Sequence, residues 1–108
     1  MKYLSFILVI LVGCSSSLPD ESIPLADHLK IGMDLLDQEK FVKAQDEFKF
    51  ILSRGTGTDY GDDAQFFLAE SYFLNQEYML SIQEYENLTR KMAFSPYFEK
   101  SRFRICEA

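Results

Sequence analysis

The sequence is poor in histidine, cysteine and basic residues. It has one histidine and two cysteines in 108 residues. Cys14 and Cys106 lie 92 residues apart, which excludes the dense disulfide framework of a small secreted protein. With 11 Lys and Arg against 17 Asp and Glu, the net charge of −6 argues against nucleic acid and anionic headgroups as partners. Apolar residues make up 47% of the chain and aromatic residues 15%, which predicts one small folded domain.

The titratable residues form no recognisable catalytic or metal-binding pattern. His28 is the only histidine, and we expect it to be a packing or surface residue on a helix. The stretch DYGDD, residues 59 to 63, lacks the D-x-[DN]-x-[DN]-G spacing of a calcium loop. We expect Asp59, Asp62 and Asp63 at the start of a helix, where carboxylates favour the macrodipole. The sequence therefore predicts no enzyme, no cofactor and no metal site.

Positive charge is concentrated near the C-terminus of this otherwise acidic chain, at Arg90, Lys91, Lys100, Arg102 and Arg104. Two interpretations stay open. These residues form either a solvated helix face or a surface for an acidic protein partner or a peptide carboxylate.

The N-terminus has the parts of a secretory signal peptide: a positive charge at Lys2, then the mostly apolar residues 3–12, then a small residue. Ten helical residues reach about 15 Å, half of a hydrocarbon core of roughly 30 Å, so this segment is too short for a permanent span. Leu11-Val12-Gly13-Cys14 resembles a bacterial lipobox, which implies that residues 1–13 are removed and Cys14 is lipidated. The alternative is a short apolar segment with a chance cysteine.

The residues after Cys14 suggest where such an anchor would hold the protein. In lipoproteins of diderm bacteria a serine at this place resembles the outer-membrane default, which implies lipid anchoring at the periplasmic face of the outer membrane. Residues 15–24, SSSLPDESIP, have low apolar content and two prolines. We therefore expect residues 14–24 to be a lipidated N-terminus followed by a flexible tether.

After the tether the sequence repeats with a period of 37 residues. IGMDLLDQEKFVKAQDEFKFIL, from Ile31, aligns with LAESYFLNQEYMLSIQEYENLT, from Leu68. In each unit the apolar residues recur at helical spacing in two segments, separated by Gln38-Glu39-Lys40 or by Asn75-Gln76-Glu77. We expect an all-α domain over residues 25–108, with two helical hairpins and the first helix of a third.

The residue types predict that the hairpins stack. Small residues recur where helices approach, and aromatic residues recur between them, as in the pairs Gly32 and Ala69 or Phe48 and Tyr85. The pattern resembles the tetratricopeptide repeat, which implies a right-handed superhelical stack. It departs from that repeat in its period, 37 instead of 34, and in lacking the terminal proline. We expect an interior that includes Ile31, Leu35, Leu68, Tyr72, Ala44, Ser81 and a buried thiol at Cys106.

The lipobox, the short tether and the lengthened repeats together resemble the outer-membrane assembly lipoprotein BamD family, in phrases such as DDAQFFLAESYF (62–73) and SPYFEKSRFRIC (95–106). The resemblance implies a non-enzymatic subunit of the machinery that assembles β-barrel proteins in the outer membrane. Its expected partners are the other subunits and unfolded client proteins. Because that family has about five repeats, we expect this chain to be an N-terminal part. The alternative is another tetratricopeptide lipoprotein, such as a pilus-assembly pilotin or a cell-wall coordination factor.

A second apolar stripe follows the first helices of the units. It contains Leu29, Met33, Leu36, Phe66, Phe73 and Phe103. In repeats of this kind that side lines a concave surface, so the stripe predicts a groove for an extended apolar peptide. The alternative is that these side chains pack against neighbouring helices or the tether.

Overall fold

The computed structural model describes residues 18–55 and 57–108. Within these ranges the chain forms five α-helices and no strand: α1 Leu25–Asp37, α2 Phe41–Gly55, α3 Gly61–Leu74, α4 Tyr78–Lys91 and α5 Phe98–Glu107. The all-α prediction is confirmed. The predicted signal peptide and Cys14 lie outside the described residues. In the described part, no helix is long and apolar enough to cross a membrane.

Each helix packs against the next one along the chain. α1 pairs with α2 and α3 pairs with α4, so the chain contains two helical hairpins. α2 also packs against α3, which joins the hairpins side by side, and α5 packs against α4. This arrangement follows the two predicted hairpins with one further helix.

The turn inside each hairpin has the same geometry 37 residues apart. Glu39 and Gln76 adopt left-handed backbone angles, with φ of 59° and 62°. In the first turn the Lys40 N–H donates to the Leu35 carbonyl at 2.9 Å, and the equivalent bond of the second turn measures 2.8 Å. A left-handed residue followed by such a bond satisfies the last carbonyls of the helix and reverses the chain. The two polar breaks predicted from the sequence are therefore the turns between the paired helices.

The backbone geometry at the start of α3 recurs at the start of α5. Tyr60 and Tyr97 precede them with nearly equal angles, φ −96° and ψ −6° against φ −90° and ψ 0°. The carbonyl of each tyrosine accepts a backbone bond of 2.9 Å, from Ala64 in α3 and from Ser101 in α5. α5 thus begins as α3 does, one period later. Asp62 and Asp63 lie in the first turn of α3, as predicted.

A core cluster joins the first hairpin to α3. It contains Ala44, Phe48, Ile51, Ala64, Leu68 and Tyr72. Phe48 is fully buried, and full burial of such a side chain contributes roughly 1.5–3 kcal/mol. Gly32 lies so close to the Phe48 ring that a methyl group there would stand 2.6 Å from Phe48 Cε1. Gly32 therefore lies where α1 and α2 approach closely, as the sequence predicts for this small residue.

A second core cluster joins α3 to α4. Phe66, Ala69, Tyr85 and Leu88 form it, and Met92, Tyr97 and Ile105 pack against its edge. Phe66 stacks on Tyr97 with ring centroids 4.5 Å apart and an interplanar angle of 12°. The loop between α4 and α5 thereby closes over α3.

Two predicted interior residues lie at the surface. Ile31 is 37% exposed, although its equivalent Leu68 is 3% exposed. Leu68 faces α2, the second helix of the preceding hairpin, and within the described residues no helix precedes α1. Cys106 is likewise exposed, whereas its equivalent Ala69 is fully buried in the cluster with Tyr85 and Leu88 of α4. The predicted buried positions of Ile31 and Cys106 are therefore wrong for the described part of the chain. There α3 packs between α2 and α4, whereas α1 and α5 each have a helix on one side only.

Candidate functional site

The predicted groove residue Phe66 is a core residue. Its side chain is 1% exposed and lies between Tyr85, Phe67 and Tyr97. A fully packed ring is not accessible to a peptide, so its place in an open groove is a wrong prediction. The physical reason is that the loop after α4 covers the side of α3 from which Phe66 projects.

The other five residues of the stripe divide into two groups. Leu29 and Leu36 are partly buried against the first core cluster, and Phe73 is partly buried against the second. For these three the alternative of packing against neighbouring helices holds. Met33 is 39% exposed and Phe103 is 64% exposed. The stripe is therefore not one continuous groove in the described structure, since its exposed members lie on the outer helices α1 and α5.

Exposed apolar side chains lie instead near the hairpin turns. We call them the tip patch, which consists of Val42, Leu74, Tyr78, Met79 and Leu80, and they are 43–80% exposed. All five side chains are at the end of α3 or in the first turn of α2 or α4. Exposed apolar clusters of this kind mark interaction sites. The sequence carried the signal, because Val42 and Met79 are 37 residues apart and each follows the aromatic residue that opens a second helix.

A shallow cleft adjoins the tip patch between the two turns. Its volume is about 340 Å³, and its lining is Glu39, Lys40, Phe41, Val42, Lys43 and Asn75. The cleft combines an aromatic ring and an aliphatic side chain with two lysines. It therefore continues the apolar tip patch into a region of mixed charge.

A buried carboxylate links α3, α4 and α5. Glu70 is 8% exposed and accepts a short hydrogen bond from the Tyr85 hydroxyl. Arg104 donates to both oxygens of the same carboxylate, at 2.9 Å and 3.2 Å. Burial and this carboxylate raise the pKa of the Tyr85 phenol. Burial alone would lower the pKa of Arg104, but its hydrogen bonds to Glu70 and Glu107 outweigh that effect and raise it.

The cluster around Glu70 has a structural role, since it joins α3 to α4 and α5. A bidentate arginine–carboxylate pair fixes both position and orientation, and a buried charge must be paired to be tolerated. Arg104 also lies over the Phe73 ring, 4.5 Å from its centroid. The sequence predicts Arg104 as part of either a solvated helix face or a surface for an acidic partner. Its guanidinium instead binds Glu70 of the same chain and holds α5 against α3.

A second tyrosine–carboxylate bond holds the loop before α5. The Tyr97 hydroxyl donates to Asp63 at 2.6 Å. Burial, followed by this bond and the charge of Asp63, raises the pKa of Tyr97 to about 12. The Asp63 carboxylate is thus hydrogen-bonded within the chain, to the Tyr97 hydroxyl. Among the described residues, no three His, Cys, Asp or Glu side chains come together as a metal site.

The only histidine is a packing residue. His28 is fully buried, its Nδ1 lies 2.6 Å from Glu47 Oε2, and its ring is 4.3 Å from the Phe50 ring. Its Nε2 has no hydrogen-bond partner. Of the two roles expected from the sequence, packing or surface, the structure shows packing.

Fold and surface define the class as an all-α protein of paired helices with exposed apolar side chains at the hairpin turns. No protein-family model matches the chain, and no curated protein matches it.

Proposed function

We propose that the hairpins are tetratricopeptide-type repeats and that the chain is a scaffold and binding protein. Several features support this. The backbone geometry at Glu39 recurs at Gln76, and the helix start at Tyr60 recurs at Tyr97, all with the 37-residue period of the sequence. Small residues pack against aromatic ones within each hairpin, as at Gly32 and Phe48. Repeats of this type stack into a right-handed superhelix and present extended surfaces to partners.

We further propose that the chain is a lipid-anchored subunit of the β-barrel assembly machinery, as its resemblance to the BamD family implies. The support is the lipobox ending at Cys14, the short tether after it, and the lengthened repeat. An anchor of several acyl chains is essentially permanent, since each buried methylene contributes about 0.8 kcal/mol. Intact mass of the membrane-extracted protein should show loss of residues 1–13 and added acyl mass. A full-length chain with an unmodified Cys14 would contradict the anchor.

The observation that carries the binding role is the tip patch. Met79 is 80% exposed and Val42 is 62% exposed, which leaves these apolar side chains in water unless a partner covers them. In this proposal the patch receives an apolar segment of an unfolded outer-membrane client, and the adjoining cleft accommodates a flanking side chain. Because the patch spans two hairpins, binding requires that they be stacked as they are in the structure.

The decisive experiment is affinity purification of the lipidated chain from outer membranes, with the proteins retained identified by mass spectrometry. The expected result is retention of a large β-barrel protein together with client chains. The variant Val42→Ser/Met79→Ser should lose the clients while keeping its helicity, since both side chains are exposed. A matched control, Gln83→Ser/Glu86→Ser, changes two exposed polar residues of α4 and should retain them. Co-purification of pilus or cell-wall proteins without a large β-barrel protein would contradict the proposal.

A further inference from the structure

The end of the stack opposite the hairpin turns carries a fully exposed phenylalanine. We call this end the base end. It consists of the loop between α2 and α3 and the loop between α4 and α5, which lie side by side along one cleft of about 310 Å³. Phe94 is in the second of these loops, and its side chain is fully exposed. The base end lies one helix length from the tip patch, about 20 Å for the 13 residues of α1.

The loop that carries Phe94 is held in place on both sides of the ring. Met92 packs against the second core cluster, and Ser95 is buried. Tyr97 stacks on Phe66 of α3. The Ser95 N–H also donates to the Met92 carbonyl at 2.9 Å, which closes a tight turn around Phe94. The ring therefore stands in solvent on a fixed turn.

The exposure of this position belongs to the repeat. Gly57 is equivalent to Phe94, one period earlier, and lines the same cleft. Although the loop between α4 and α5 lies beside it, a methyl group at Gly57 would meet nothing within 4 Å. The position therefore faces open space even where the next loop of the stack is present.

The N-terminal tether meets the helices at the base end. Glu21 forms an ion pair of 2.7 Å with Arg54, in the last turn of α2. Leu18, three residues before Glu21, is exposed. Leu18 is four residues after Cys14, and four residues reach at most about 14 Å. A lipid on Cys14 would thus hold the base end close to the membrane surface.

We propose that the base end lies against the phospholipid surface and that the Phe94 ring inserts between the headgroups. The contact requires the lipid anchor of the proposed function. A single exposed apolar ring is common on protein surfaces, and the short tether at the same end is what makes a membrane its partner here. Lys91 and Asp62 line the cleft with opposite charges, so the contact depends on the ring and not on anionic lipid. The tip patch then faces away from the membrane, where a client can reach it.

A fluorescence measurement tests which end touches lipid. The chain contains no tryptophan, so one introduced tryptophan reports on one position. The lipidated variant Phe94→Trp is reconstituted into phosphatidylcholine vesicles, with part of the lipid brominated in the upper acyl chain. Bromine should weaken its fluorescence several-fold, because interfacial side chains lie about 5–10 Å deep, near the bromine atoms. Met79→Trp, at an equally accessible position of the tip patch, is the matched control. Its fluorescence should be unchanged by bromine and quenched by aqueous iodide.

A second measurement tests the Phe94 ring itself. Lys91 is exposed in the last turn of α4, three residues before Phe94. On phosphatidylcholine vesicles, an impermeant amine reagent should acylate Lys91 several-fold faster in Phe94→Ser than in wild type, because loss of the ring releases the base end from the surface. In detergent solution the two proteins should react alike. Lys40, at the hairpin turns, is the internal control and should react equally in both proteins on vesicles. Circular dichroism should show equal helicity, since the ring is exposed.

Intact mass of the same samples distinguishes failure of the anchor from failure of the membrane contact. An unmodified Cys14 would remove the anchor and the contact with it. A lipidated Phe94→Trp chain whose fluorescence bromine leaves unchanged would overturn the contact alone, as would equal acylation of Lys91 in wild type and Phe94→Ser. Quenching of Met79→Trp by bromine would make the tip patch the membrane face. Protection of Lys91 that rises with the protein-to-lipid ratio would make a second copy the partner, and either result would overturn the proposal.

Discussion

Glu47 contacts the His28 ring, and Glu84 contacts Gln65 at the equivalent place in the second hairpin. In each pair a buried polar residue of the first helix contacts a glutamate of the second, 19 residues later, at 2.6 Å. The two pairs are 37 residues apart, so the contact belongs to the repeat and not to one hairpin. A polar bond at a fixed place between two otherwise apolar helices sets their register, because any sliding would leave a buried polar group unpaired.

This equivalence predicts that glutamine can replace the histidine. His28→Gln should keep the bond to Glu47 and lose less than half of the stability lost in His28→Ala. The alanine variant leaves Glu47 without its partner and opens a cavity beside Phe50, at a cost of about 2–4 kcal/mol. Urea denaturation followed by circular dichroism measures both. Equal losses in the two variants would show that packing of the imidazole ring, and not the bond, is what matters.

The repeat was predictable because its signals are local. Helical spacing and the three-residue polar breaks determine where the helices end, and Glu39 and Gln76 fall inside those breaks. The sequence did not predict that residues other than glycine would adopt the left-handed backbone at these turns. The hairpin order follows from these turns, since a short turn makes consecutive helices antiparallel neighbours.

The exposure of individual residues was less predictable, because periodicity says which residues share a face but not which neighbour covers it. Phe66 and Phe103 occupy equivalent positions, yet one is 1% and the other 64% exposed. The difference lies in the coverage of Phe66 by α4 and Tyr97. Contacts across 34 residues, such as that of Glu70 with Arg104, depend on the packing of three helices and leave no spacing signal.

The buried cluster around Glu70 predicts unequal effects of two substitutions. Tyr85→Phe removes one hydroxyl and leaves Glu70 paired with Arg104, so it should cost about 1 kcal/mol. Glu70→Ala removes the acceptor of both partners and should cost about 2–3 kcal/mol. Chemical denaturation gives the values, and Glu86→Ala, at an exposed position of α4, should stay within about 0.5 kcal/mol of wild type. A Glu70→Ala variant as stable as that control would contradict the role of the cluster.

Tyr97 predicts a loss of stability at alkaline pH. Its folded-state pKa of about 12 lies above the value of 10.0 expected for a free tyrosine. The folded state therefore holds the phenol proton more tightly, so this contribution is fully present below pH 10 and is lost as pH rises through about 12. Denaturation measured from pH 10 to about 12 should show the free energy of unfolding falling as pH rises. In Tyr97→Phe the free energy of unfolding should fall less steeply over the same range. Tyr78→Phe, which removes an exposed phenol, is the control and should leave the slope unchanged. An equal slope in wild type and Tyr97→Phe would contradict this assignment.

Gly32 predicts that a change favourable to an isolated helix destabilises this one. Alanine in place of glycine within a helix normally stabilises by up to about 1 kcal/mol. At Gly32 the added methyl would stand 2.6 Å from Phe48 Cε1, and the Phe48 ring is fully buried and cannot swing into solvent. The helices must separate to relieve the overlap, which should turn the gain into a net loss of about 1–3 kcal/mol. Gly57→Ala is the control, since a methyl group there meets nothing within 4 Å. Thermal and urea denaturation should show the loss in Gly32→Ala only. A Gly32→Ala protein more stable than wild type would mean that α1 and α2 can move apart freely, and close packing of the first hairpin would then be the wrong account of why a glycine stands at this position.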